Sequence, residues 1–119
     1  MHPIVHCLIL INVFWDIISA AAIVLKYEAI ASWHTDLWVN NDDRTNPAAR
    51  TLMAWLIFTF GLARLGAVVD PSVYLTCGLV SYIIEGLLFL VSTCVGTIKR
   101  QEGFIVAFGS FGLAGLMLL

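Results

Sequence analysis

The chain has 119 residues, 61% of them hydrophobic and only 12% charged, with a mean hydropathy of +0.95. A water-soluble domain is about half apolar and about a quarter charged, so both a soluble globular fold and a disordered chain are excluded. A net charge of −2 with a pI near 5.8 leaves no basic face for nucleic acid.

The apolar residues fall in four blocks. At about 1.5 Å per residue, blocks of this length can cross roughly 30 Å of hydrocarbon. The first runs from Ile4 to Leu25 and is closed by Lys26. No Lys or Arg precedes it and Asp16 interrupts it, so it reads as a retained transmembrane helix rather than a cleaved signal. The second opens at Asn46-Pro47, a capping residue followed by proline at the first helical position, and ends near Val69. Asp70-Pro71-Ser72 is a tight turn that demands an antiparallel hairpin of helices. The third block runs from Val73 to Ile98, Lys99 to Glu102 form the next turn, and the fourth and shortest runs from Gly103 to Leu119. The expected fold is all-α: one transmembrane domain over residues 1–119, a four-helix bundle with short connections and one longer interfacial loop, 26–46.

Lys26, Arg44, Arg50, Lys99 and Arg100 all belong to the first and third connections. The positive-inside rule then places the long loop in the cytosol, matrix or stroma and both termini on the opposite side. Within that loop Tyr27, Ile30, Trp33 and Leu37 recur at helical spacing, with Trp38 adjacent. The spacing predicts a short amphipathic helix in the headgroup layer. Two readings stay open for it, a solvated loop with an aromatic anchor or a docking surface for a partner.

Ionisable residues inside the spans carry most of the information, because each must face protein, a cavity or a partner rather than lipid. Counted from the side bearing the termini, Arg64 lies at a depth of roughly 9 Å, Asn12 at roughly 12 Å, and Asp16 and Glu85 at roughly 18 Å. Arg64 is expected either to reach inward to Asp16 or Glu85 or to snorkel outward to the interface or Asp70. Asn12, Asp16 and Ser19 share one face of the first helix. Gly78, Ser81, Glu85, Ser92 and Gly96 follow a near-heptad course on the third, opposite Ile83, Leu87 and Leu90. Thr59, Ala63 and Ala67 on the second helix, with Ser110 and Ala114 on the fourth, supply small residues for close approach. Phe104, Phe108 and Phe111 form an aromatic ridge on the last helix. Together with Trp33 and Trp38 they are the candidate partner-facing residues.

No GxSxG, HExxH, phosphate-binding or dinucleotide motif is present, so no catalytic residue is assigned and a non-catalytic protein is expected. Cys7, Cys77 and Cys94 lie in apolar runs without a CxxC pair and read as small apolar filler. His2 and His6 stand four apart, but no third metal ligand is evident, so neither a metal nor a cofactor is expected. His6 and His34 remain candidate pigment ligands.

Ala49-Arg50-Thr51 opens a helix, Trp55 follows one turn on, and Arg64 and Asp70 bracket the helix end. Tyr74 opens the next span, Gly96-Thr97 closes it, and Ser110-Phe111 precedes Gly115-Leu116 in the last. Over residues 49–119 this pattern resembles the ergosterol biosynthesis protein 28 family, small four-helix proteins of the endoplasmic reticulum. The chain departs from that family where Leu88-Phe89-Leu90-Val91-Ser92 replaces a polar His-Phe-x-Ser-Glu stretch, and Glu85 lies earlier than that stretch's carboxylate. The resemblance implies a scaffold that gathers sterol C4-demethylation enzymes at the membrane. The leading expectation is therefore an integral membrane scaffold or accessory subunit. Its partners would be other integral membrane proteins and membrane lipids, a sterol among them, and not nucleic acid. An accessory subunit of a respiratory or photosynthetic complex, in a mitochondrial inner or thylakoid membrane, is one alternative. A sterol-binding or sterol-isomerising enzyme is another, with Asp16 and Glu85 flanking a cationic intermediate and lining an apolar cavity at mid-depth.

Overall fold

The computed structural model describes residues 1–119 and is all-helical. Its helices are α1 (Pro3–Val24), α2 (Glu28–Thr35), α3 (Asn41–Thr45), α4 (Pro47–Val69), α5 (Pro71–Cys94) and α6 (Arg100–Met117). Each of the chain's three prolines opens a long helix, where its fixed φ suits the first turn and its missing N–H is no loss. Asn46 Oδ1 caps α4 by accepting hydrogen bonds from the Ala48 and Ala49 amides at 2.9 and 3.1 Å. His2 Nδ1 accepts from the Ile4 amide and caps α1.

α1, α4 and α5, at 22, 23 and 24 residues, are long and apolar enough to cross a membrane. The polar first turn of α6 (Arg100, Gln101, Glu102) sets it apart from those three. Only 27 of the 119 residues are buried, and many large apolar side chains face outward, an arrangement compatible with lipid. α1 packs on α4, α4 on α5 and α5 on α6. One apolar cluster (Val5, Ile9, Val13, Ala67, Val68, Tyr82, Ala114, Met117) occupies the end bearing the Asp70 turn. A smaller one (Ala22, Ile23, Ala31, Ala54) sits beneath α2. The polar residues of the spans lie between them.

Several boundaries differ from the sequence expectation, and α5 opens at Pro71 rather than Val73, so that Pro71 and Ser72, expected in the turn, form its first helical residues. α5 stops at Cys94, four residues before Ile98, because Gly96 adopts a φ of +86°, a conformation that glycine reaches without steric cost and that ends helices. The chain beyond it pairs with the long connection: Val39 N–H donates to Thr97 O at 3.0 Å and Lys99 N–H to Leu37 O at 2.8 Å. α6 then begins at Arg100 rather than Gly103. This pairing puts the loop after α1 and the loop after α5 at the same end of the molecule, the end that carries the cations.

The long connection is helical in two pieces, and α2 supplies the short helix expected there, with its aromatic residues on the outside. Its buried residues are Ala31 and Thr35, while Tyr27 and Trp33 are exposed. Ala31 lets α2 sit close on Ala22 and Ile23, and the larger rings are turned outward by that close approach.

Candidate functional site

Four helices contribute to one polar cluster between the two apolar ones. Arg64, on α4, is fully buried. Its Nη1 donates to Asp16 Oδ2 at 2.8 Å and to Asn12 Oδ1 at 3.1 Å, both on α1. Its Nη2 donates to Glu85 Oε2 at 2.5 Å and its Nε to Ser81 Oγ at 3.1 Å, both on α5. Ser110, on α6, donates to the same Glu85 oxygen at 3.0 Å, which ties the last helix to the network. Tyr82 lays its ring against the guanidinium, 3.8 Å from ring centroid to Arg64 Cζ, and donates its hydroxyl to Asn12 Oδ1 at 2.6 Å. The Phe60 ring flanks Arg64 at 5.3 Å.

Helix geometry decides between the two expected courses for Arg64. The Cα–Cβ bond of a helical residue leans toward the helix N-terminus, and long side chains follow it. The N-terminus of α4 is at the loop end, so Arg64, near the opposite end, leans toward mid-span, where Asp16 and Glu85 are. Asp70 takes no part and accepts a hydrogen bond from Ser72 instead. Asn12 and Asp16 converge because they are four apart on one face of α1. Ser81 and Glu85 do so on α5, with Gly78 one turn before them giving the close approach. A Cβ on Gly78 would fall 2.6 Å from that of Ala67.

The cluster is a fixed cation with its counter-charges, and some acceptors are left over. Asp16 Oδ1 and Glu85 Oε1 accept no hydrogen bond, and neither do they lie among the fully enclosed unpaired atoms. Both residues line two half-enclosed cavities. One, about 300 Å³, lies between α4 and α5 and is walled by Leu52, Leu56, Phe60, Leu88 and Phe89. The other, about 400 Å³, lies on the α6 side and is walled by Trp15, Trp33, Tyr82, Ile105 and Leu113. Asp16, His34, Glu85 and Phe89 line both. His34 reaches them from α2, with Nε2 enclosed and without a hydrogen-bond partner. Burial holds its imidazole below the usual 6.5, which keeps it neutral near pH 7. No protein-family model, curated protein or solved structure gives a significant match to this chain.

The remaining candidates are scattered. Phe104 and Phe108 stack at 6.1 Å, with Phe108 63% exposed, and Trp33 also faces out. Phe111 turns inward onto Gly86, and Trp38 lines the α4–α5 cavity, so these two do not join the outward set. His2 and His6 lie in the first turns of the chain, far along it from His34, and no three metal-ligating side chains gather anywhere. Sequence reasoning missed Tyr82 and understated Ser110. A tyrosine in the middle of a span, adjacent to Ser81 and three residues before Glu85, was the available signal, since a buried hydroxyl needs a partner.

Proposed function

We propose that the chain is a multi-pass integral membrane protein in which α6 is the fourth crossing of a four-helix bundle, and that it acts as a non-catalytic scaffold or accessory subunit for other membrane proteins. The observation that carries this reading is the division of labour between inside and outside. The charged groups in the spans meet one another within the chain, Asp16 and Glu85 sharing Arg64, while α1, α4, α5 and α6 turn large apolar side chains outward, among them Ile11, Phe14, Leu52, Trp55, Ile84 and Phe108. A surface like that solvates equally in lipid tails or against a neighbouring helix, and packing decides between them. The resemblance over residues 49–119 supports sterol-synthesis enzymes as partners and the endoplasmic reticulum as the membrane. The test is site-specific photo-crosslinking from positions 33 and 108 in native membranes. Discrete adducts with membrane enzymes support the scaffold, and adducts with lipid alone overturn it.

One observation favours a second reading, a sterol-binding or sterol-isomerising protein. The two carboxylates line cavities at mid-span, the geometry that reading requires. Asp16→Asn and Glu85→Gln separate the two. Loss of a sterol conversion with partner association intact selects the second reading.

A further inference from the structure

We propose that the paired cavities form a binding site for a lipophilic amine, its ammonium head held by Asp16 Oδ1, Glu85 Oε1 and His34 Nε2 and its apolar body in the α4–α5 cavity. This rests on the cavity of the second reading, requires no chemistry on the ligand, and is independent of the scaffold role.

Charge comes first. Two carboxylates meet one guanidinium, and no other cation lies in the cluster. In a low-dielectric site a carboxylate left over is costly. A proton on one carboxyl relieves it when the site is empty, and an ammonium head relieves it when the site is filled. Arg64 cannot serve both carboxylates fully, because each gives it only one oxygen and keeps the other free. The free carboxylate oxygens are acceptors, and the unpaired His34 Nε2 accepts in the tautomer that carries its proton on Nδ1, so the ligand that suits them is a donor. An anionic or acceptor-only head, such as a fatty acid carboxylate, is repelled.

Shape and lining agree. The cavities, about 300 and 400 Å³ and meeting at the carboxylates, fall in the size range of small-molecule sites. Aromatic rings flank the head position from both sides, Trp15 and Tyr82 on one and Phe60 and Phe89 on the other, an environment that favours a desolvated cation. Trp15 itself packs on His34, with ring centroids 5.9 Å apart, so the imidazole is held in place by its neighbour. The rest of the α4–α5 cavity is aliphatic, with Leu52, Met53, Leu56, Ile57 and Leu88, suited to a hydrocarbon chain or ring system.

The experiment uses the full chain in nanodiscs of zwitterionic phosphatidylcholine, with Trp33→Phe and Trp55→Phe leaving Trp15 and Trp38 as reporters. The probes are dibrominated stearylamine, the matched alcohol and the matched fatty acid, read by bromine quenching of tryptophan. The expected result is saturable quenching by the amine at an affinity at least tenfold above the alcohol, with no saturable signal from the acid. Glu85→Gln abolishes the amine preference, and Ala49→Leu, which narrows the tail cavity without touching the carboxylates, weakens amine and alcohol alike. Saturable binding in which the alcohol equals or exceeds the amine overturns the amine assignment and leaves a lipid site standing. Non-saturable quenching by all three probes removes the site and the second reading together.

Discussion

Replacing Arg64 by leucine removes the guanidinium and keeps an apolar stem at the same place. Asp16 and Glu85, whose side chains are only 6% and 18% exposed, then face each other without a cation, and Asn12 and Ser81 each lose a donor. Deleting one partner of a buried ion pair costs about 3–5 kcal/mol, and each hydrogen bond donated by the charged guanidinium adds about 1.5–3 kcal/mol. Protonation of the orphaned carboxyls caps the loss, so the expected net destabilisation of Arg64→Leu is about 3–5 kcal/mol. Arg64→Lys retains a charge, but a single ammonium cannot reproduce the fork that spans α1 and α5, so it should fall between wild type and Arg64→Leu. The triple variant Asp16→Leu, Arg64→Leu, Glu85→Leu discards the whole cluster and should lie within about 1 kcal/mol of wild type, or above it. Equilibrium unfolding in mixed micelles of rising dodecyl sulfate fraction, followed by far-ultraviolet circular dichroism, gives all three values. A loss below about 1 kcal/mol for Arg64→Leu, or a triple variant as unstable as the single one, would refute the view that uncompensated charge is what the arginine prevents.

Three further outcomes follow from the same contacts. Gly86→Ala places a Cβ 2.6–2.8 Å from the Phe111 ring and should cost about 1–3 kcal/mol, partly recovered in a Gly86→Ala, Phe111→Leu double variant unfolded in the same way. Tyr82→Phe keeps the ring on Arg64 but loses the hydroxyl bond to Asn12, so it should cost about 0.5–1.5 kcal/mol, and Tyr82→Leu should cost more. His34 is buried with its pKa lowered from 6.5, so the unfolded chain takes up the proton first as pH falls. Its contribution is complete above about pH 6.5 and declines below that, toward the folded-state pKa. The melting temperature of wild type relative to His34→Gln, measured across this range, should fall as the pH is lowered, and a constant difference between them would contradict the assignment.

Much of this architecture was legible in the sequence because lipid makes composition informative. Blocks bounded by Lys26, Asn46-Pro47 and Asp70-Pro71 map onto α1, α4 and α5 within a few residues. Asp16, Arg64 and Glu85 stood out because a charge in a span has few tolerable placements. What stayed hidden depends on which surfaces meet. The end of α5 was misplaced because Val95 and Ile98 are as apolar as the helix before them, while the deciding event is a glycine turn after which the extended segment meets residues 37–39 through an isolated bridge. The residue that seats α2 on the bundle was not legible, because Ala31 carries no distinctive signal and its role lies in the close approach to Ala22 and Ile23. A cavity lined by Asp16 and Glu85 was foreseen only under the sterol reading, and its remaining walls had no linear signature. They arise from the spacing of four helices and from the reach of His34, a residue on the long connection about 50 positions before Glu85 in the chain.

The polar cluster also fixes how the helices sit against one another. Between apolar helices in lipid, one side-chain contact is much like another, so sliding a helix along its neighbour changes the energy little. An arginine held by α1 and α5 at once removes that freedom. Displacing either helix by one turn, about 5.4 Å, would carry Asp16 or Glu85 out of hydrogen-bond range and leave charge unpaired. The cluster therefore sets register, a role for which buried charges are well suited even when they add little net stability. Groups that meet through directional bonds at 2.5–3.1 Å cannot also interdigitate like leucines. Gly61 and Gly78 let α1, α4 and α5 approach closely around the guanidinium, and the two cavities lie beside the cluster, both lined by Asp16 and Glu85. A variant with leucines at positions 16, 64 and 85 should thus gain packing and lose both register and ligand. Mixed helix registers, seen as new disulfide pairs between cysteines engineered on α1 and α5, are the outcome that separates specificity from stability.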